Sequence, residues 1–241
     1  MKAMILAAGL GTRLRPLTND LPKALVALNG RPLLQLIIEN LVRNGITEII
    51  INVHHRAQKI LDFLDKNDRF NIRIAVSEES EILETGGGIK KARWFFDKDQ
   101  PFLVHNVDVL TDLRLSDMYR WHKKHNALIT LAVRKRSTPR QLLFDKQGQL
   151  AGWHSGNETV LNTSVRGETE KLAFMGIHII SPRIFDLFPD KVHFSIIPAY
   201  LELAQAGEKI NAYRGDKAFW YDLGTPERLK EAELFLTKGK R

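Results

Sequence analysis

The chain has 241 residues, 44% hydrophobic and 27% charged, which is ordinary globular usage and excludes both a disordered tail protein and a fibrous repeat. It has no cysteine, so a disulfide framework, thiolate zinc sites, iron–sulfur clusters and a cysteine nucleophile are excluded together. Lysine and arginine number 36 against 28 Asp and Glu, a formal charge of +8 that points to an anionic partner; the basic residues form only short groups such as Lys123-Lys124 and Arg134-Lys135-Arg136, which favours phosphorylated small molecules over nucleic acid.

The first apolar run stops at Gly9 and is too short for a signal peptide. No stretch has the roughly 18 consecutive apolar residues of a membrane span. The expectation is a cytoplasmic enzyme or binding protein with no membrane partner. Ala3–Ala8, Glu48–Val53, Ile72–Val76 and Phe102–Val107 are compact apolar runs that read as strands. Between the first two, Leu33, Leu34, Ile37, Ile38 and Leu41 follow a helical period that opens after Pro32 and stops at Gly45. Strand, helix, strand in this order implies right-handed crossovers and a largely parallel sheet covered on both faces.

From Ala127 the pattern changes. Leu128–Val133, Leu142–Phe144, Leu150–Trp153 and Leu172–Ile180 read as strands of a mixed or antiparallel extension, with a turn at Gln147-Gly148. Residues 154–171 are polar and read as a long loop or lid. Helices are expected at Pro182–Leu187, Ile196–Ala206 and Pro226–Thr237. There is no internal repeat and no Pro-, Gly- or Ser-rich linker, so residues 1–241 read as one domain.

The most informative stretch follows the first strand and runs Leu6-Ala-Ala-Gly9-Leu-Gly11-Thr12-Arg13-Leu-Arg15-Pro16-Leu-Thr18-Asn-Asp-Leu-Pro22-Lys23. Small residues at Ala7, Ala8, Gly9 and Gly11 let backbone N–H groups close around phosphate oxygens, and Arg13 and Lys23 add positive charge. Taken alone, the glycines also fit a tight turn. Leu14 stands where a dinucleotide fingerprint needs a third Gly or Ala, and Pro16 interrupts the helix it would open. No Gly-Lys-Ser/Thr run exists for a P-loop.

The run from Gly9 to Lys23 resembles the signature loop of the sugar-1-phosphate nucleotidylyltransferases, which join a nucleoside triphosphate to a sugar 1-phosphate and release pyrophosphate. The resemblance continues through Leu83-Glu84-Thr85-Gly86-Gly87-Gly88-Ile89, His105-Asn106-Val107-Asp108, Met175-Gly176-Ile177 and Trp220-Tyr-Asp222-Leu-Gly224-Thr225-Pro226-Glu227. It implies a three-layer α/β/α Rossmann-like nucleotidyltransferase fold with a mostly parallel central sheet. Within it, a nucleotide-binding half would cover about 1–110 and a sugar-binding half about 111–241.

The resemblance assigns Asp108 and Asp222 as ligands of Mg²⁺. Each follows a strand, where an α/β sheet presents residues to a ligand crevice, and two carboxylates suit a hard cation that keeps phosphates and water in its other positions. Singly, each aspartate also reads as a turn residue or helix cap. Arg13, Lys23 and Asp108 are the implied catalytic residues. Ala8, Gly9, Gly11, Thr12, Arg13 and Lys23 would hold the triphosphate, Thr85, Gly86 and Gly87 the nucleobase with Glu84 a weaker candidate, and Asn52 and Gly176 the sugar. His54-His55 and the pair His122, His125 lack further ligands at metal-binding spacing.

Departures from the family pattern leave the sugar open: Gly152-Trp-His-Ser-Gly-Asn-Glu158 stands where many relatives carry Glu-Lys-Pro, Ala24 where Pro follows the signature Lys, and Val107 where Gly precedes the aspartate. With no long segment after Arg241, the single-domain members, including the N-acetylmuramate 1-phosphate uridylyltransferases, are the nearer comparison. UTP is the favoured donor, with a GTP-using mannose or heptose 1-phosphate enzyme as the alternative. A catalytically silent nucleotide-sugar sensor is a rival reading; it would be expected to have lost Lys23, Asp108 or Asp222, and all three are present. Oligomeric state does not follow from the sequence.

Overall fold

A computed structural model describes residues 1–162 and 167–238. The chain forms two compact units and passes between them more than once: Met1–Ile82, His105–Leu113 and Phe219–Arg241 build the first, Leu83–Val104 and Arg114–Ala218 the second. The two units are therefore interleaved along the chain.

In the first unit, strand Ala3–Leu6 pairs in parallel with Glu48–Val53, which pairs in parallel with Arg73–Glu78. The Ile49-Ile50-Ile51 run is fully buried, as expected of a strand covered on both faces. Helix Leu33–Arg43 buries Leu33, Leu34, Ile37, Ile38 and Leu41, the residues whose spacing predicted it. It ends where Gly45 N–H donates to the Val42 carbonyl (2.9 Å) and Ile46 N–H to that of Leu41 (3.0 Å), a Schellman closure that satisfies carbonyls the helix leaves open. Helix Ala57–Lys66 was not expected; it buries only Ala57, Ile60 and Leu64, a stripe too thin to register against its charged neighbours.

A second apolar cluster lies under the signature loop. Leu14, Val26, Leu28 and Leu33 pack with Leu223, Leu229 and Ala232. It joins the loop to the C-terminal helix Pro226–Lys238 and to the short antiparallel pair Val109–Thr111 with Trp220–Asp222.

In the second unit, Ile129–Arg134 pairs antiparallel with Glu170–Ile180 and parallel with Ile210–Arg214. Arg140–Phe144 joins Glu170–Leu172 on one side and Leu150–Ser155 on the other, both antiparallel. The mixed character read from residue 127 onward is present, and Gly148 N–H closes the expected turn on the Asp145 carbonyl (3.0 Å). The polar segment 154–171 is not one loop. Strand Leu150–Ser155 turns at Gly156-Asn157 into Glu158–Leu161, with Ser155 opposite Glu158. That strand is exposed at the sheet edge, so it lacks the apolar alternation that would have marked it. The remainder of the proposed lid includes residues 163–166, which lie outside the described residues.

Pro182–Asp186 is a short 3₁₀ turn, whereas Ile196–Gln205 is a full helix. Helix Leu115–His125, unmarked in the sequence, buries Leu115, Met118 and His122. Among the described residues no helix is long and apolar enough to cross a membrane.

His122 takes a core position in that helix. Ser181 Oγ donates to the Ala127 carbonyl (2.8 Å), so it accepts from His122 Nε2–H (3.0 Å), and Nδ1 then accepts from Thr130 Oγ1 (2.8 Å). The ring is neutral, and burial holds its pKa down at about 4. Because the folded value lies below the unfolded value of about 6.5, the unfolded chain takes up the proton first, and stability falls as pH drops from 6.5 towards 4. The loss is expected to reach about 3 kcal/mol. Urea midpoints at pH 7 and pH 4.5 should differ more for the wild type than for His122→Gln; equal differences would remove His122 as the cause.

Candidate active site

Strand Ala3–Leu6 ends in the signature loop, and the loop is tied back at once. Ala7 N–H donates to Asn52 Oδ1 (2.8 Å), and Asn52 Nδ2 donates to Glu79 Oε1 (2.7 Å). Asn52 and Glu79 are 2% and 3% exposed, so the asparagine braces the loop from inside the sheet and presents little surface to a ligand. Gly11 adopts φ +65°, and a Cβ there would stand 3.0 Å from side-chain carbons of both Lys23 and Thr18. Thr18 Oγ1 donates to the Gly11 carbonyl (2.8 Å), and the 3₁₀ turn Thr12–Leu14 drops Leu14 into the apolar cluster. Gly9 faces open space, and Gly9, Thr12 and Arg13 remain exposed.

Lys23 opens a second 3₁₀ turn, Lys23–Leu25, and its ammonium forms an ion pair with Asp108 Oδ2. Asp108 follows strand Phe102–Asn106: Val107 N–H donates to the Leu6 carbonyl (3.2 Å), and the Asp108 carbonyl accepts from Leu223 N–H (2.7 Å). Asp222 stands opposite Val109 in the short antiparallel pair, so one ladder sets the two aspartates side by side in the fold. Asp222 Oδ1 accepts from Gly224 N–H (2.9 Å), and Oδ2 is ion-paired with Arg228. A Cβ at Gly224 would lie 2.7 Å from Arg13 Nη2 and 2.8 Å from Asp222 Oδ1, so any side chain here would press on both the guanidinium and the carboxylate.

Arg13, Lys23, Asp108 and Asp222 are thus gathered in the first unit with the glycine loop. Among the described residues no three acidic or histidine side chains cluster as a complete metal cage. Two carboxylates, Asp108 in the turn before Val109–Thr111 and Asp222 at the end of the strand paired with it, fit a hard divalent ion whose remaining positions go to phosphate oxygens and water.

The second unit carries the other candidates. Thr85, Gly86 and Gly87 lie in the first turns of helix Glu84–Lys91. Gly86 and Gly87 N–H both point at the Phe194 carbonyl (2.9 and 3.2 Å), and Thr85 Oγ1 accepts from Ile196 N–H (3.0 Å). A Cβ at Gly86 would meet the Phe194 ring at 2.2 Å, and one at Gly87 the Val192 carbonyl oxygen at 2.2 Å. The backbone expected to stay open for a base is committed to residues 192–196, while Glu84 is exposed. Gly176 lies within strand Glu170–Ile180, where the register against Ile129–Arg134 shifts between Phe174 and His178.

The family model described as nucleotidyl transferase matches residues 2–239. The chain belongs to the nucleotidyl transferase family. It is 32% identical over 237 residues to mannose-1-phosphate guanyltransferase beta-A of Xenopus laevis, covering 94% of this chain and 62% of that relative. To the mannose-1-phosphate guanyltransferase of Aspergillus oryzae (strain ATCC 42149 / RIB 40) it is 33% identical over 247 residues, covering 98% and 65%. The chain spans less than two thirds of the length of these curated relatives. Among solved structures, HddC from Yersinia pseudotuberculosis complexed with GMP-PN superposes with a TM-score of 0.76 at 24% identity, covering 98% of this chain and 99% of that one. UDP-glucose pyrophosphorylase complexed with UDP-glucose superposes with a TM-score of 0.77 at 20% identity, covering 100% and 99%. These two structures share the fold, a Rossmann-like nucleotidyltransferase.

Three features of this nucleotidyl transferase escape sequence reasoning. Glu79 and the bracing role of Asn52 carry no motif, because a buried polar pair across two strands looks like ordinary strand ends. Thr18 reads as one more turn residue. Arg228 had a signal: it is a cation in the first turn of a helix, where the helix dipole disfavours positive charge unless another partner holds it.

Proposed function

We propose that this nucleotidyl transferase moves a nucleoside monophosphate from a nucleoside triphosphate to a sugar 1-phosphate, using Mg²⁺ and releasing pyrophosphate. The observation that carries this reading is the grouping of Arg13, Lys23, Asp108 and Asp222 with the Ala8–Thr12 backbone in one unit. The sugar phosphate is already ionised at neutral pH, so its oxygen attacks the α-phosphorus without a general base. The new bond is oxygen to α-phosphorus, the broken one runs from α-phosphorus to the bridging oxygen, and pyrophosphate takes the electron pair.

Lys23 neutralises charge at the α-phosphate, and Arg13 with the N–H groups from Ala8 to Thr12 holds the β- and γ-phosphates for in-line departure. Asp108 and Asp222 would hold Mg²⁺, which supplies charge neutralisation at the phosphates when bound. Asn52 acts through the loop it braces, and Gly176 is carried forward as a sugar-side residue. Both substrates are phosphorylated metabolites, and we place the reaction in the cytoplasm.

For the base we favour guanosine over the uridine expected from the resemblance to muramate-type members. Two lines support this. The relatives named above are guanyltransferases, and the HddC complex holds GMP-PN. With the Gly86 and Gly87 N–H groups committed, the exposed Glu84 carboxylate offers acceptors only, which suit the two adjacent donors of guanine and not the carbonyl-rich edge of uracil. A matrix of GTP, UTP, dTTP, CTP and ATP against mannose, glucose and N-acetylmuramate 1-phosphates, read as pyrophosphate release, tests it. GTP is expected to exceed UTP in kcat/KM by roughly tenfold or more, the worth of one well-placed polar match. UTP ahead by that margin would restore the uridylyl reading, and no release with any pair would leave the silent sensor.

A further inference from the structure

Both candidate metal-binding carboxylates are already neutralised. Lys23 pairs with Asp108 and Arg228 with Asp222, but the two pairs differ in character. Lys23 and Asp108 are enclosed, with side chains 16% and 12% exposed, whereas the Arg228 side chain is 39% exposed. Asp222 needs no help from Arg228 to hold its orientation, because Gly224 N–H already fixes Oδ1 from two residues along the chain. Arg228 instead occupies Oδ2, the oxygen otherwise left for a ligand. It does so from the first turn of helix Pro226–Lys238, where the partial positive charge of the helix end makes a resident guanidinium unfavourable without that carboxylate.

We infer that Arg228 is an internal counterion that competes with the divalent metal for Asp222, so that the metal enters with the triphosphate, whose oxygens take over the guanidinium. The inference rests on the proposal that Asp108 and Asp222 hold the metal. With Lys23, Arg228 and the nearby Arg13 set against two carboxylates, the site has no net negative charge to attract a free dication. When phosphate oxygens arrive, the flexible Arg228 side chain exchanges one anionic partner for another and frees Oδ2.

The test uses Mn²⁺ alone, without nucleotide, with binding followed by the electron paramagnetic resonance signal of the free ion. Arg228→Gln is expected to bind Mn²⁺ roughly three- to tenfold more tightly than the wild type, the scale of a partly exposed ion pair. Arg43→Gln, which removes one positive charge elsewhere on the first unit, is expected to bind as the wild type does. Unchanged or weaker binding by Arg228→Gln overturns the inference, since weakening would make Arg228 a support of the site. Equal tightening in Arg43→Gln also overturns it, because net charge would then be the cause. Binding that is equal in all three proteins, or absent from all three, refutes the counterion role, while the metal assignment stands or falls separately on the turnover of Asp108→Asn.

Discussion

Asp108→Asn is expected to lower turnover by roughly a hundredfold or more, about 3 kcal/mol of barrier, while the protein stays folded. An amide is a poor ligand for a hard dication beside two anionic substrates, and it cannot balance the Lys23 ammonium as the carboxylate does. The fold should tolerate the change because the structural bond of this residue is made by its backbone, whose carbonyl accepts from Leu223 N–H. Steady-state kcat at saturating Mg²⁺, with circular dichroism as the control for folding, decides the matter. A variant that turns over at near wild-type rate would take Asp108 out of the site, and with it the proposed arrangement of the reaction.

A substantial loss of stability is expected at a glycine. Gly87 sits inside a helix, where alanine is intrinsically favoured by about 1 kcal/mol, so Gly87→Ala would stabilise the chain if helix propensity decided the outcome. The added Cβ would stand 2.2 Å from the Val192 carbonyl oxygen, which is backbone and cannot swing aside. Overpacking of this kind costs about 1–3 kcal/mol, and the upper end applies when main chain must move, so after the propensity gain the clash is expected to win by about 2 kcal/mol. Gly9→Ala is the counterpart, since nothing lies within 4 Å of its Cβ position, and its stability should stay within about 0.5 kcal/mol of wild type. Urea denaturation of both variants measures the contrast; a Gly87→Ala protein as stable as Gly9→Ala would show that residues 192–194 do not press on the helix.

How much of this was legible follows the physics of each element. Helix Leu33–Arg43 announced itself because five buried aliphatic residues repeat at helical spacing and a glycine follows them. Helix Leu115–His125 did not, because one of its three buried positions is filled by His122, a residue that reads as surface until Thr130 and Ser181 are seen to satisfy its ring. Strand Glu158–Leu161 was lost for the opposite reason: its Val160 and Leu161 are apolar but lie at an edge with no face to bury. Within the candidate site, the tight glycine turn after the first strand was readable from its own letters, and Gly11 does adopt φ +65° there. Asp108 and Asp222 were paired only through family resemblance, since nothing local links residues that a strand pair brings together from opposite parts of the chain. The glycines after Glu84 stood out in the sequence, but their packing against residues 192–196 did not, because openness to a ligand and openness to another stretch of the same backbone look identical in a sequence.

The interleaved course of the chain has a consequence for synthesis. The signature loop emerges early, yet Leu14 and Val26 have no floor until Leu223 and Leu229 arrive, and Asp108 lacks its neighbour strand until Trp220–Asp222 is made. Domains generally form from the N-terminus as the ribosome delivers them, but this unit must keep its first segment waiting while the whole of the intervening one is translated. A chain halted before Asp222 therefore carries the signature loop without a finished support and the first aspartate without the second. Premature termination before Trp220 is expected to leave the first unit without Leu223, Leu229 and the strand that pairs with Val109–Thr111.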